Sequence, residues 1–169
     1  MFEVLILSII QGITEFLPIS SSSHLILVSK YLNFENQGLL IDVSVHIGSF
    51  FAVLTYFRKD ILNFVNNKEL FLKILFSSIP VLIVGLLLVK TEIINHLRTI
   101  QVIGWMTLIF GVLLYISDNF KNNLKIEKNF DYKAALIIGV FQILSLIPGV
   151  SRSGIAITAA RILKFKRFD

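Results

Sequence analysis

Two short stretches in which a proline precedes a run of serines interrupt apolar segments too short to cross a bilayer, and this combination restricts the fold more than any other feature. One is Pro148-Gly149-Val150-Ser151-Arg152-Ser153-Gly154. Ala134 to Ile147 before it holds no charged residue, and Ile155 to Ala160 after it is apolar apart from Thr158. The other is Pro18-Ile19-Ser20-Ser21-Ser22-Ser23-His24, with Glu15 three residues before its proline. Aligning Pro18 with Pro148 pairs Ser21 with Ser151 and Ser23 with Ser153. A charge at membrane depth costs ~2.5–3.5 kcal/mol, so Arg152 needs a partner or a wet cavity. Phosphate suits its planar fork of donors, with serine hydroxyls beside it and with Gly149 and Gly154 letting the backbone turn and come close. The alternative is an arginine snorkelling at a helix end.

With 55% hydrophobic and 16% charged residues over 169 positions, and a mean hydropathy of +0.80, the chain reads as an all-α integral membrane protein. A net charge of +5 would suggest nucleic acid in a soluble chain. Here the lysines fall between apolar segments and read as topology signals, so no nucleic-acid partner is expected. There is no cysteine, which excludes disulfides and thiolate metal sites. The start, Met1-Phe2-Glu3, lacks the basic region of a secretory signal, so the first apolar run is expected to stay in the protein.

A membrane span needs ~20 residues. Neither Phe2 to Leu17 nor Leu25 to Leu32 reaches that length, and residues 1–33 are expected to form a re-entrant helical hairpin. About three full spans follow within 38–117. The first, Leu39 to Phe57, carries Asp42, His46 and Ser49 on one face, as a structural polar stripe or as part of a site. The second, Glu69 to Val89, contains Pro80, where a kink is expected. The third is Ile100 to Ser117. Residues 134–163 form a second short-armed hairpin, all within one membrane domain. Arg58, Lys59, Lys68 and Lys73 lie on one side with Lys121, Lys125, Lys128 and Lys133, whereas the opposite connection holds Lys90 and Arg98. The richer side is therefore cytoplasmic, and Lys164, Lys166 and Arg167 return to it. The two hairpins then enter from opposite faces. This is an inverted-topology repeat, a design that places sites near the midplane.

Serines after each proline suit the N-cap of the following helix, so two helix N-termini are expected to face one space. Helix N-termini bind anions. With Arg152 and the hydroxyls of Ser21, Ser22, Ser151 and Ser153, they form a cradle for phosphate or diphosphate. His24 can move protons near neutral pH, and Glu15 can orient an imidazole or hold a divalent metal. The structural alternatives are a hydrogen-bonded neutral acid for Glu15 and a capping residue for His24.

At these residues the chain resembles the undecaprenyl-diphosphate phosphatase family, the bacitracin-resistance-type membrane phosphatases. Gln11-Gly12-Ile13-Thr14-Glu15-Phe16-Leu17-Pro18-Ile19-Ser20-Ser21-Ser22-Ser23-His24 is similar to the family's first motif, and Pro148 to Gly154 to its second. Asp42-Val43-Ser44-Val45-His46-Ile47-Gly48 fits the intervening helix. The resemblance implies hydrolysis of undecaprenyl diphosphate to undecaprenyl phosphate and inorganic phosphate. That reaction recycles the lipid carrier of bacterial peptidoglycan synthesis in the inner (plasma) membrane. It further implies Glu15, His24 and Arg152 as the catalytic centre and Ser21, Ser151 and Ser153 as phosphate contacts or, for one of them, as the nucleophile, with serine and water both left open as the attacking group. Ser22, Gly149 and Gly154 join these as phosphate-side candidates, with Gln11, Asp42 and His46 in support and a divalent cation (Mg or Ca) at Glu15. Its partners are a polyprenyl diphosphate lipid and the membrane, with a homo-oligomer left open. A transporter or flippase for a phosphorylated lipid, or an inactive lipid-binding fragment, is the alternative. Gln11 stands where the family often has a glutamate. The chain stops at Asp169 where family members continue through further spans, so a C-terminally truncated second repeat is expected.

Overall fold

The computed structural model describes residues 2–34, 38–91, 93–120 and 124–166. Met1, Lys121 and Arg167, which enter the sequence reading above, lie outside them. The order is α1 (Phe2–Thr14), α2 (Ser21–Tyr31), α3 (Leu39–Tyr56), α4 (Arg58–Asn66), α5 (Lys68–Lys90), α6 (Ile93–Leu97), α7 (Ile100–Asp118), α8 (Ile126–Asn129), α9 (Tyr132–Ile143) and α10 (Arg152–Ile162). A single 3-10 turn, Leu144–Leu146, extends α9. In lipid the backbone must satisfy its own hydrogen bonds, which is why apolar runs of this kind become helices.

The short arms are short because their sequences stop them. α1 has 13 residues, about 20 Å at the helical rise, which is well under the thickness of a hydrocarbon core. Turn geometry replaces helix from Glu15 to Pro18, and α2 then starts at Ser21 with Ser20 as its N-cap. The second hairpin repeats the design: α9 and its 3-10 turn end before Pro148, and α10 starts at Arg152 with Ser151 as N-cap.

α5 and α7 are each long and apolar enough to cross a membrane. α3 qualifies only together with α4, from which it turns by 78° at Phe57. The bend falls just before Arg58-Lys59, where the sequence places the membrane boundary. α5 runs through Pro80 as one helix.

Lipid offers no hydrophobic drive between helices, so packing depends on close approach and polar contacts. α9 lies on α5. A Cβ at Gly139 would run into the Ser77 backbone, so only glycine permits this crossing. α10 packs on α7 and α9, and α1 on α2 and α3. Leu7, Leu25 and Val45 form the core of the first hairpin, with Ile10, Val28, Phe34 and Ile41 packed around them.

Contacts at the two ends of the spans orient the hairpins. Tyr132, at the start of α9, meets Phe76 and lies under the Lys73 ammonium, 5.9 Å from the ring centroid. At the end of α10, Arg161 donates to the carbonyls of Asp118, Phe120 and Phe165, and Leu124 exchanges backbone hydrogen bonds with Lys164 and Lys166. The second hairpin therefore opens at the end of the bundle that holds the start of α5 and the end of α7. The first hairpin leads into α3 at the opposite end, where Asp42 pairs with Arg98.

Candidate functional site

The two tips touch. Ser153 Oγ donates to the Leu17 carbonyl at 3.4 Å, and a Cβ on Gly154 would lie 3.2 Å from the Pro18 carbonyl oxygen. Gly149 has φ +105° and presses on α7, where an added Cβ would meet the Ile103 carbonyl and the Met106 side chain. Thr107 Oγ1 donates to the Gly149 carbonyl at 3.3 Å, completing the seat of the second tip on α7.

Between the tips lies a cleft of about 320 Å³ whose polar wall includes Glu15, Ser21, Ser22, His46, Ser151, Arg152 and Ser153. Ser20, Gln142 and Ser145 also line it. The first turns of α2 and α10 both open onto this space, so their free N–H groups and positive dipole ends make it favourable for an anion. The caps correspond with an offset of one from the sequence alignment: Ser20, not Ser21, is the counterpart of Ser151. Ser20 Oγ lies 3.3 Å from Ser22 Oγ, as Ser151 Oγ lies 3.1 Å from Ser153 Oγ. Each cap carbonyl accepts from the residue four positions on, His24 N and Ile155 N. The second tip spends one more residue between proline and cap, and its positive-φ glycine takes up the difference.

Glu15 is held from three sides. Its Oε2 accepts from Gln11 Nε2 at 2.8 Å and from Ser21 Oγ at 2.6 Å, and His46 Nε2 stands 3.6 Å away. Gln11, 0% exposed, lies behind the carboxylate and orients it. The His46 Nδ1 is 2.7 Å from the Asp42 carbonyl oxygen. A carbonyl can only accept, so the ring proton sits on Nδ1, and Nε2 is the atom left to exchange a proton at Glu15. Arg152 is exposed to the cleft, and no carboxylate pairs with it among the described residues.

The other candidates fall elsewhere. His24 lies off the cleft wall, and its Nδ1 donates to the Ser20 carbonyl at 2.7 Å, a bond within the first turn of α2 that caps none of its free N–H groups. Gly149 and Gly154 shape the second tip from behind the wall. Asp42 lines a neighbouring groove of about 580 Å³ that shares Glu15, His46 and Arg152 with the cleft. That groove is walled by Ile26, Val43, Ile47, Phe50, Val53 and Leu146. Gln142 and Ser145 escaped the sequence reading, although a glutamine in a charge-free apolar run is itself a signal.

Among the described residues no group of three or more His, Asp or Glu side chains could hold a metal. Glu15, through its second oxygen, and His46 Nε2 are the donors on offer. A hard cation takes oxygen donors, so the Glu15 oxygen alone fits one, with waters and phosphate oxygens left to complete its shell, and the imidazole nitrogen does not suit such an ion.

Fold and site together define the class: an all-α membrane protein in which two broken-helix hairpins bring a carboxylate and a guanidinium, and α3 an imidazole, to one polar cleft beside an apolar groove. The chain belongs to the family described as bacitracin resistance protein BacA, which it matches over residues 4–169. It is 50% identical over 168 residues to a protein of Pelagibacter ubique (strain HTCC1062) named undecaprenyl-diphosphatase, covering 99% of this chain and 66% of that one. Proteins of the same name from Jannaschia sp. (strain CCS1) and Saccharophagus degradans are 44% and 45% identical, covering 99% and 96% of this chain and 67% and 66% of theirs. The chain thus spans about two thirds of the length of these relatives.

Proposed function

We propose that this chain binds a polyprenyl diphosphate at the cleft between its two hairpin tips and hydrolyses it, with undecaprenyl diphosphate as substrate and the bacterial inner membrane as its location. The observation that carries this reading is the meeting of two helix N-termini, Arg152 and the Glu15–His46 pair around one polar cleft that opens into an apolar groove. A diphosphate head on an isoprenoid tail has the same two-part chemistry. The relatives' shared name points to the same substrate.

In this reading Arg152 forks onto the terminal phosphate, and the first N–H groups of α2 and α10 take its remaining oxygens. Glu15 accepts the proton of the attacking hydroxyl, either that of Ser21, already hydrogen-bonded to it, or that of a water in the same place. A new phosphorus–oxygen bond forms at the terminal phosphorus as the bridging bond breaks, and the bridging oxygen leaves on the lipid phosphate. Where Ser21 attacks, water then breaks the bond between phosphorus and the Ser21 Oγ, which takes back a proton from Glu15 as inorganic phosphate leaves. His46 Nε2 faces the carboxylate and shares the proton traffic. A divalent cation, when bound at Glu15, supplies neutralisation of the phosphate charge. Arg152 and the helix N-termini add to this charge from protein groups that need no rearrangement.

The test is phosphate release from undecaprenyl diphosphate by the chain in lipid nanodiscs. Turnover that is abolished in Glu15→Gln supports the reading. If that variant matches the parent, or if the parent moves lipid between leaflets without releasing phosphate, the reading fails. Ser21→Ala separates the two nucleophiles, since only water attack survives it.

A further inference from the structure

We infer that Arg98 is a positioning residue for this reaction: it acts through Asp42 to fix α3, and with it the His46 imidazole, relative to Arg152. The inference rests on the hydrolysis proposed above. Asp42 is 4% exposed and is used twice. Its Oδ2 takes Arg98 Nη2 at 2.5 Å, while its carbonyl oxygen takes His46 Nδ1. The residue that sets the imidazole's tautomer is therefore also the residue that is tied across the bundle.

What that tie joins gives it meaning. The main packing of α3 is on α1 and α4, all from the first half of the chain. Arg98 stands just before α7, the helix whose Ile103, Met106 and Thr107 seat Gly149 and so hold the tip that bears Arg152. The ion pair thus connects the piece that carries Glu15 and His46 to the piece that carries Arg152. As a source of stability alone it is a poor choice, because well-packed apolar residues generally serve as well or better than a buried ion pair. A fixed distance and direction between two rigid pieces is what such a pair provides and apolar contact does not. Both residues also line the apolar groove, so the same link borders the space that would receive a lipid tail.

Two measurements on the chain in nanodiscs decide it. In the first, Arg98→Ala is compared with the double variant Asp42→Asn/Arg98→Ala. Arg98→Ala leaves a buried carboxylate unpaired and should lower Tm, and it should lower kcat on the order of tenfold to a hundredfold by misplacing His46. KM for the lipid should move by less than about threefold, since the phosphate contacts remain. The double variant removes the unpaired charge, so Tm should return while kcat stays low. In the second, the absence of cysteine allows spin labels at Phe51→Cys on α3 and Ile157→Cys on α10, both exposed and off the cleft wall. Their distance distribution should broaden in Arg98→Ala and in the double variant but stay narrow in Arg98→Lys. Recovery of kcat together with Tm in the double variant, or an unchanged distance distribution in Arg98→Ala, would overturn the inference. If even the parent releases no phosphate, the proposed function falls and the label distances alone decide whether the tie exists.

Discussion

The two hairpin tips use one backbone device and divide the chemistry. In both, a proline ends the incoming arm and a serine caps the outgoing helix, whose N-terminus opens onto the cleft. The first tip carries the carboxylate and lies next to an imidazole from α3, whereas the second carries the guanidinium. They differ in how they are held as well. Ser151 Oγ accepts from Gly154 N at 3.1 Å, while Ser20 makes no such bond to its own helix and is surrounded by other serines. The second tip is clamped on α7 by Gly149. In the proposed reaction, two helix N-termini of one build leave each tip free to specialise its side chains, one for binding charge and one for moving protons.

The sharpest way to break this division is Arg152→Ala. It should lower phosphate release on the order of a hundredfold to a thousandfold, as for loss of a preorganised donor, measured as kcat with undecaprenyl diphosphate. Replacing the two histidines separately comes next. His46→Ala should cost about a hundredfold in kcat and His24→Ala only a few-fold, because only His46 faces Glu15. The reverse order would return the proton role to His24. Gly149→Ala probes the clamp on the second tip: the positive φ and the Ile103 contact together predict a loss of about 2–4 kcal/mol, read as a lowered Tm in detergent. The smallest difference separates the caps. Ser151→Ala should destabilise by about 1 kcal/mol and Ser20→Ala by only a few tenths, since only Ser151 bonds its own helix. Equal losses would erase the distinction.

Much of this was legible in the chain. Proline and serine spacing marked both tips, and the short apolar arms around them marked where the helices break. The turn at Phe57 follows from Arg58-Lys59 ending an apolar run. Three features were not legible, each because it depends on contacts between distant residues. The caps are offset by one residue because Gly149 adopts a conformation selected by its seat on α7. His46 meets Glu15 only because α3 packs on α1, whereas helical periodicity could say no more than that Asp42 and His46 share a face. The bond from Arg98 to Asp42 spans 56 positions, and no local pattern announces it.

Arg161 at the foot of α10 reaches the carbonyls of Asp118, Phe120 and Phe165, and its Nε stands 3.3 Å from an Asp118 carboxylate oxygen. A lysine has no planar fork with which to serve so many acceptors at once. With this end bolted to α7 and Gly139 locked against Ser77, the second hairpin has no room to slide along its neighbours. The seat of Gly149 on α7 holds the tip as well, so this hairpin is the stationary wall of the cleft, and Arg152 should keep its place while a bulky lipid enters.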